Sequence, residues 1–540
     1  MYSLAHLCRP KFLWRHNTDH TPREVTSEVR LNSQRAVLII LPAVAGAIEL
    51  GLVSSTWGMG ANSDSVSYIS EAHNILAGRG ISSLHYAPLY SYLLAGIQLV
   101  GPSALDAARW ANCVLFSANI LMVAFLLRRQ CGSHWVAGFG AALMATSVDM
   151  LQIHFMVWPE PLFVFGTLWT LVLTQLYLES GRRRFLIAAA LCAGVTTLTR
   201  YPGLALVASI AIAQFTLTKD SLVQRLQNAL LVATLGLVPI GTWLASNGAF
   251  TGQMTVRTLA FHPITIGRLV DGLSVASRWL VPVEPPLALR VVVTALVVAA
   301  VTVVLVSAGP RLRRRERTSL FWFLSITFVF SYTALLLLSI TLFDESTPLD
   351  SRIMSPVYPV ALITAVSAVY RLVESLESEW LSRGLIVVSA VLLISYLPRA
   401  WDWGVTSYTD GRSYTGKVWR ESGTIRETLG LPLNTTIFSN APDVITILLN
   451  RRARMLPKKF DPTSGLANAH YNEEIERVRF DLENHSAVLV YFQPMRRTYL
   501  PSLVELTNLL PLQECTDAND GAICRSSSRT VVRYNPHSQN

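Results

Sequence analysis

Residues 59–88 read MGANSDSVSYISEAHNILAGRGISSLHYAP, a polar interval in an apolar chain that sets a lone carboxylate, Asp64, ahead of Tyr68 and Glu71. Further ionisable residues stand at the edges of later apolar runs: Asp149, Glu160, Arg200, Arg257, His262, Arg268, Asp344, Glu345, Asp350 and Arg352. Charges so near lipid are costly and mark function. Carboxylates and arginines at the mouth of an apolar bundle suit a substrate with a lipid tail and a phosphorylated head. The helices hold the tail, arginine grips the phosphate bidentately, and a carboxylate activates the attacking group. For a sugar carried on a polyprenyl phosphate, the leaving group is already good, so one base and an electrostatic clamp suffice. The interval after residue 58 is therefore where the sequence points for chemistry.

The elements that must position these residues are membrane helices. The chain has 540 residues, of which 51% are hydrophobic and only 15% charged, a composition that excludes a soluble globular protein. A hydrocarbon core of about 30 Å needs roughly 20 apolar residues per helix. Eleven such runs are read, at 36–57, 106–128, 135–155, 158–179, 185–200, 201–218, 227–246, 286–308, 318–343, 353–373 and 381–397. With the N-terminus in the cytoplasm, the basic groups Arg15 to Arg35, Arg128 and Arg129, Arg182 to Arg184, Lys219 and Arg225, Arg311 to Arg317, and Arg371 all fall on the cytoplasmic side, as the positive-inside rule demands. This requires the short run 89–101 not to cross, so it is read as an interfacial or re-entrant helix. Three regions follow: a cytoplasmic tail 1–35, a membrane domain 36–398 with a large first external loop 58–105, and an external soluble domain 399–540. The localisation expected is a multi-pass protein of the plasma (inner) membrane.

The net charge of +10 resides largely in those cytoplasmic loops, so it reports topology and implies no nucleic-acid partner. The N-terminal tail is too long and polar for a cleaved signal peptide, which makes the first span a retained anchor. In the tail 399–540, TTIFSN, SAVLVYF and TVVRY read as strands, while APDVITILLN and NEEIERVRFDLEN read as helices, giving a small α/β domain. Cys515 and Cys524 are the two external cysteines and are expected to pair there; two unpaired thiols are the rival reading. Asn434 heads an N-T-T glycosylation acceptor. No metal-ligand spacing occurs; a divalent ion is compatible with the sequence but not supported by it.

Four stretches carry a resemblance to a known family. They are SDSVSYISEAHNILAGRGI with the following YAPLYSYLLAGIQLVG, then WPEPLFVFGTLW, TRYPGLAL and DSRIMSPVYPVAL. In order and sidedness they resemble the GT-C type membrane glycosyltransferases, in the branch of protein mannosyltransferases and lipid A aminoarabinose transferases. The resemblance spans residues 36–400 and implies transfer of a sugar from a polyprenyl-phosphate donor to an acceptor hydroxyl, with inversion. It implies Asp64 as general base and Glu160 as a second catalytic acid. Donor or acceptor binding falls to Glu71, Tyr68, Arg200, Arg257, His262, Arg352 and Tyr358. The Asp-Glu pair often found in the family is here Asp64-Ser65, so either Glu71 or Glu160 supplies the second acid or the acceptor is handled differently. Plainer roles stand beside these: Asp64 as a helix N-cap, Glu160 as complement to a helix N-terminus, the arginines as snorkelling anchors. Two other functions use the same features, a transporter or flippase of lipid-linked sugars and a non-catalytic scaffold. Asp64→Asn separates them, because a flippase needs no base.

Overall fold

The computed structural model describes residues 22–81, 85–251, 259–280, 286–307, 309–484 and 487–526. Arg257 and the segment TVVRY lie outside these. The fold is mainly helical, and each of the eleven apolar runs coincides with helix. Their lengths set them apart. Seven helices are long and apolar enough to cross a membrane, from Ala36–Val53 to Glu379–Thr409, and an eighth span results if His134–Thr146 and Val148–Phe155, bent by 58°, count as one. Eleven is therefore not reached among the described residues: Arg183–Thr197 and Tyr201–Leu217 have 15 and 17 residues, short of a bilayer's thickness at 1.5 Å per residue. Their buried faces pack among the longer helices, sharing one core that runs from Ala43 to Trp403. The protein is an integral, multi-pass membrane protein.

Between the first span and Ala104–Cys131, the chain forms two short helices, Ser63–Leu76 and Leu89–Gln98. The second is only 10 residues long and is not a span. Together they build a separate apolar cluster from Tyr68, Ile69, Ala72, Tyr90 and Leu94 against Ala107, Ala108 and Val157.

The C-terminal part is joined to the bundle by Glu379–Thr409, a 31-residue helix that continues through Pro398. It carries a five-stranded sheet of β1 (Ile437–Ser439), β2 (Arg454–Met455), β3 (Val488–Phe492), β4 (Leu512–Asp517) and β5 (Gly521–Ser526), in the order β2-β1-β3-β5-β4. β1 is parallel to β2 and β3, with helices Pro442–Leu449 and Tyr471–Asn484 in the connections. β4 and β5 form an antiparallel hairpin in which Cys515 faces Cys524 and is bonded to it. That hairpin was not read from the sequence. β4 is polar and almost wholly exposed, so it lacks the apolar alternation that marks a half-buried strand.

The sheet unit is laced into the first loop. Residues 60 and 61 form parallel bridges on both sides, Gly60 to Met156 and Ala61 to Ser413. Val157 N–H donates to the Gly60 carbonyl at 2.9 Å, Tyr414 N–H to the Ala61 carbonyl at 2.9 Å, and Thr415 Oγ1 to the Met59 carbonyl at 2.8 Å. A Cβ on residue 60 would lie 2.4 Å from Met156 Sδ and 3.0 Å from the Phe155 ring. Only glycine permits that approach.

Candidate active site

The bridge at Gly60 fixes the relative height of two segments that each deliver an acid. One leads through Asn62 into helix Ser63–Leu76. Asn62 is its N-cap, accepting from Ser65 N–H at 3.1 Å, and Ser65 Oγ returns a contact to Asn62 N–H at 3.1 Å. This capping box leaves Asp64 in the first turn with its carboxylate uncommitted to the helix, so the N-cap role belongs to Asn62. The other segment leads through Trp158 and Pro159 into helix Glu160–Ser180. Trp158 Nε1 donates to Asn62 Oδ1 at 3.0 Å, joining the two starts.

Four charges converge there. Arg352 Nη1 donates to Asp64 Oδ2 at 2.5 Å, and Arg352 Nε donates to Glu160 Oε1 at 2.6 Å. Arg200 Nη1 lies 3.1 Å from the same Glu160 oxygen. Tyr86 Oη donates to the other Asp64 oxygen at 2.7 Å, and the Arg352 guanidinium sits 4.1 Å above the Trp158 ring, a cation–π contact. Arg352 comes from the four-residue helix Ser351–Met354, whose N-cap is Asp350. Asp350 is thus spent on structure, accepting from Ile353 N–H at 3.0 Å. Behind Glu160, Asn119 donates to the Pro161 carbonyl and Asn112 to the carbonyls of His154 and Met156, so two buried amides within Ala104–Cys131 hold the segment carrying the acid.

The environments of the two carboxylates differ. The Glu160 side chain is fully buried, with Oε2 lacking a hydrogen-bond partner, whereas the Asp64 side chain keeps 25% of its exposure. Burial opposes ionisation of Asp64, but Arg352, aided by Tyr86 and Arg200, outweighs it and holds the carboxyl below the ordinary carboxylate range. Asp64 is a carboxylate at neutral pH. Desolvation likewise opposes the charge on Arg352, and Glu160 and Asp64 outweigh it. Tyr68 packs between Tyr86 and Tyr90, with ring centroids at 4.9 and 5.4 Å. Burial and the charge of Glu160 push its hydroxyl far above the ordinary range, keeping it protonated.

Of the residues singled out from the sequence, Asp64, Glu160, Arg200 and Arg352 form one cluster, with Tyr68 against its edge. Glu71 is buried one turn or two along the same helix, 3.5 Å from Asn74 Nδ2. His262 Nδ1 lies 3.4 Å from Glu345 Oε2, and Arg268 donates to the Glu345 carbonyl. Both tie the stretch 259–268 to residue 345 instead of reaching Asp64. Tyr358 belongs to a neighbouring polar group: its ring meets Trp279 at 5.5 Å, and Trp279 Nε1 donates to Asp149 at 3.0 Å. Tyr86, Trp158 and Asn62 were not picked out from the sequence, though each lies within two residues of an acid or a proline in the stretches quoted. Among the described residues no three His, Cys, Asp or Glu side chains gather as a metal site.

A family profile described as dolichyl-phosphate-mannose-protein mannosyltransferase matches residues 85–245, which include Glu160 and Arg200. Among solved structures, the chain is similar to ArnT from Cupriavidus metallidurans bound to undecaprenyl phosphate. Identity is 14% and the TM-score 0.54, over 92% of this chain and 99% of that one. The apo state of the same protein gives 15%, 0.56, 93% and 98%. The chain resembles the GT-C membrane glycosyltransferases. The likeness extends over the C-terminal sheet unit as well as the bundle, since nearly all of both chains is aligned. No curated protein sequence matches. The four-charge cluster of this GT-C-like fold is split by the family match: Asp64 and Arg352 lie on either side of it.

Proposed function

We propose that the protein transfers a sugar from a polyprenyl-phosphate donor to an acceptor hydroxyl at the external face of the plasma (inner) membrane. The observation that carries this reading is Asp64, a part-exposed carboxylate held beside two arginines where the first loop meets the bundle. Asp64 takes the acceptor's proton, and the acceptor oxygen attacks the anomeric carbon from the face opposite the phosphate, giving inversion. Arg352 and Arg200 grip the phosphate, stabilising the charge that develops as it leaves. Glu160 orients both guanidiniums. Tyr68 and Tyr86 wall the site beside the base.

Support comes from the ArnT structure, whose ligand is undecaprenyl phosphate, and from a family profile whose donor is dolichyl-phosphate mannose. Both are lipid phosphates, and a guanidinium pair at the mouth of an apolar bundle is the matching receptor. The test is transfer in vitro from a panel of labelled polyprenyl-phosphate sugars to envelope acceptors, comparing the wild type with Asp64→Asn. Wild-type transfer that disappears in the variant is expected. If lipid-linked sugar crosses vesicles equally well with both proteins while none is transferred, the protein is a flippase.

A further inference from the structure

Arg352 already holds two carboxylates before any donor arrives. A guanidinium offers two bidentate edges, Nε with Nη2 and Nη1 with Nη2. Glu160 occupies Nε and Asp64 occupies Nη1, so each edge is already half taken. A phosphate gripped by two parallel bonds must displace one of the carboxylates. Glu160 is fully buried, opens the helix Glu160–Ser180 and is shared with Arg200. Asp64 is a quarter exposed, and its second oxygen stays anchored on Tyr86. Asp64 is the partner that yields.

Resting on the donor reading above, we propose that Arg352 is a two-position switch, bonded to Asp64 in the free protein and to the lipid phosphate in the loaded one. The arriving phosphate thereby frees the base. Trp158 under the guanidinium provides a flat surface on which it turns without leaving the site. Besides Arg352, the titratable groups facing Asp64 are Tyr86, Arg200 and, around them, Glu160 and Tyr68. The C-terminal unit contributes Tyr414 at the adjacent Ser63. Among the described cations only Arg352 bonds Asp64 directly, so its departure removes the main force keeping the carboxylate weakly basic.

The step balances. The acceptor oxygen bonds to the anomeric carbon as the bond from that carbon to the phosphate oxygen breaks, the electron pair leaving with phosphate and the hydroxyl proton passing to Asp64. Release of the lipid phosphate returns Arg352 to Asp64, and the proton goes to solvent.

Binding of undecaprenyl phosphate to the full chain in detergent, by titration calorimetry, tests the switch without knowledge of sugar or acceptor. Asp64→Asn is expected to bind roughly tenfold more tightly than wild type, because Arg352 is no longer contested. In an Arg352→Ala background the same substitution should give no gain. A second probe, a polyprenyl methyl phosphodiester, has no proton of its own to take up. Its binding to wild type around pH 5 should draw a proton onto Asp64, seen as a buffer-dependent heat, since proton and phosphate affinities are reciprocal. Unchanged or weaker binding by a well-folded Asp64→Asn, a gain that survives Arg352→Ala, or absence of proton uptake by wild type each overturns the switch. If wild type binds neither probe, the donor reading itself fails, and the switch with it.

Discussion

At the end of the bundle away from Asp64, arginines terminate helices. Arg371 donates to the carbonyl of Gln130 near the end of Ala104–Cys131, Arg315 to that of Leu217, and Arg225 to that of Phe215. Glu179 there is held by Arg129 at 2.6 Å and Arg317 at 3.5 Å, and Gln130 pairs with Gln175. A cation on the last carbonyls of a helix satisfies orphan acceptors and complements the helix dipole. Among the described residues Arg352 bonds to no carbonyl. Both its bonds go to carboxylates, 288 and 192 residues away in the chain. Cations at the two ends look alike in the sequence and both ends carry Arg–carboxylate contacts, but Arg371 and Arg315 also close helix ends on backbone carbonyls, whereas the bonds of Arg352 go to carboxylates of two remote segments. A helix end satisfied at one end of the bundle, against two distant acids gathered on one guanidinium at the other, is the difference between architecture and chemistry.

The comparison can be broken by substitution at each end. Asp64→Asn should lower transfer by about 10²–10⁴-fold, the range of general-base removal, with only a modest fall in thermal midpoint from the lost ion pair with Arg352. A variant that keeps its turnover would remove the distinction altogether. Arg352→Lys should cost on the order of tenfold or more in kcat/KM for the donor, since a point charge cannot replace a planar fork; steady-state kinetics with varied donor measures it. Gly60→Ala, which forces a Cβ against Met156, should destabilise by about 1–3 kcal/mol and lower kcat, visible in thermal melts and turnover. At the other end, Glu179→Gln should cost about 1 kcal/mol of stability while turnover per folded molecule stays within roughly twofold.

The smallest effect is in pH. Asp64 has a lower pKa folded than its unfolded value of about 3.9, so its ionised form stabilises the fold above that value. That contribution is lost as pH falls through the folded pKa. From pH 8 down to about 5, Asp64 should add no slope to stability or to kcat/KM, which reports the free protein. An acid limb within that window that Asp64→Asn abolishes would mean the carboxylate is not held by Arg352.

Sidedness made part of this site legible in the sequence. Counting Lys and Arg along the loops put Asp64, Glu160, Arg200 and Arg352 at one level of the bundle, and the structure brings these four together. The same count put His262 at that level, and it pairs with Glu345 instead. Loop charge reports height along the membrane normal and nothing about position around the bundle, which depends on helix packing across long sequence separations. Tyr86 and Trp158 were equally invisible as partners, because an aromatic beside a proline reads the same whether it faces lipid or an acid. In the C-terminal unit, β1 and β3 were legible from their apolar runs. β2, with two residues, and the polar, exposed β4 offered no periodicity to read.

The bridge from Met59 and Ala61 to Ser413, Tyr414 and Thr415 has a consequence for biogenesis. The bond from Thr415 to Met59 joins residues 356 positions apart, so the ribosome makes the first loop long before the chain that braces it. The loop bearing Asp64 must wait beside an incomplete bundle until residue 415 has emerged and folded back. The brace on this loop is then among the last features the nascent protein acquires, and a chain stalled after its final span would be a membrane protein in shape with the Asp64 loop unbraced.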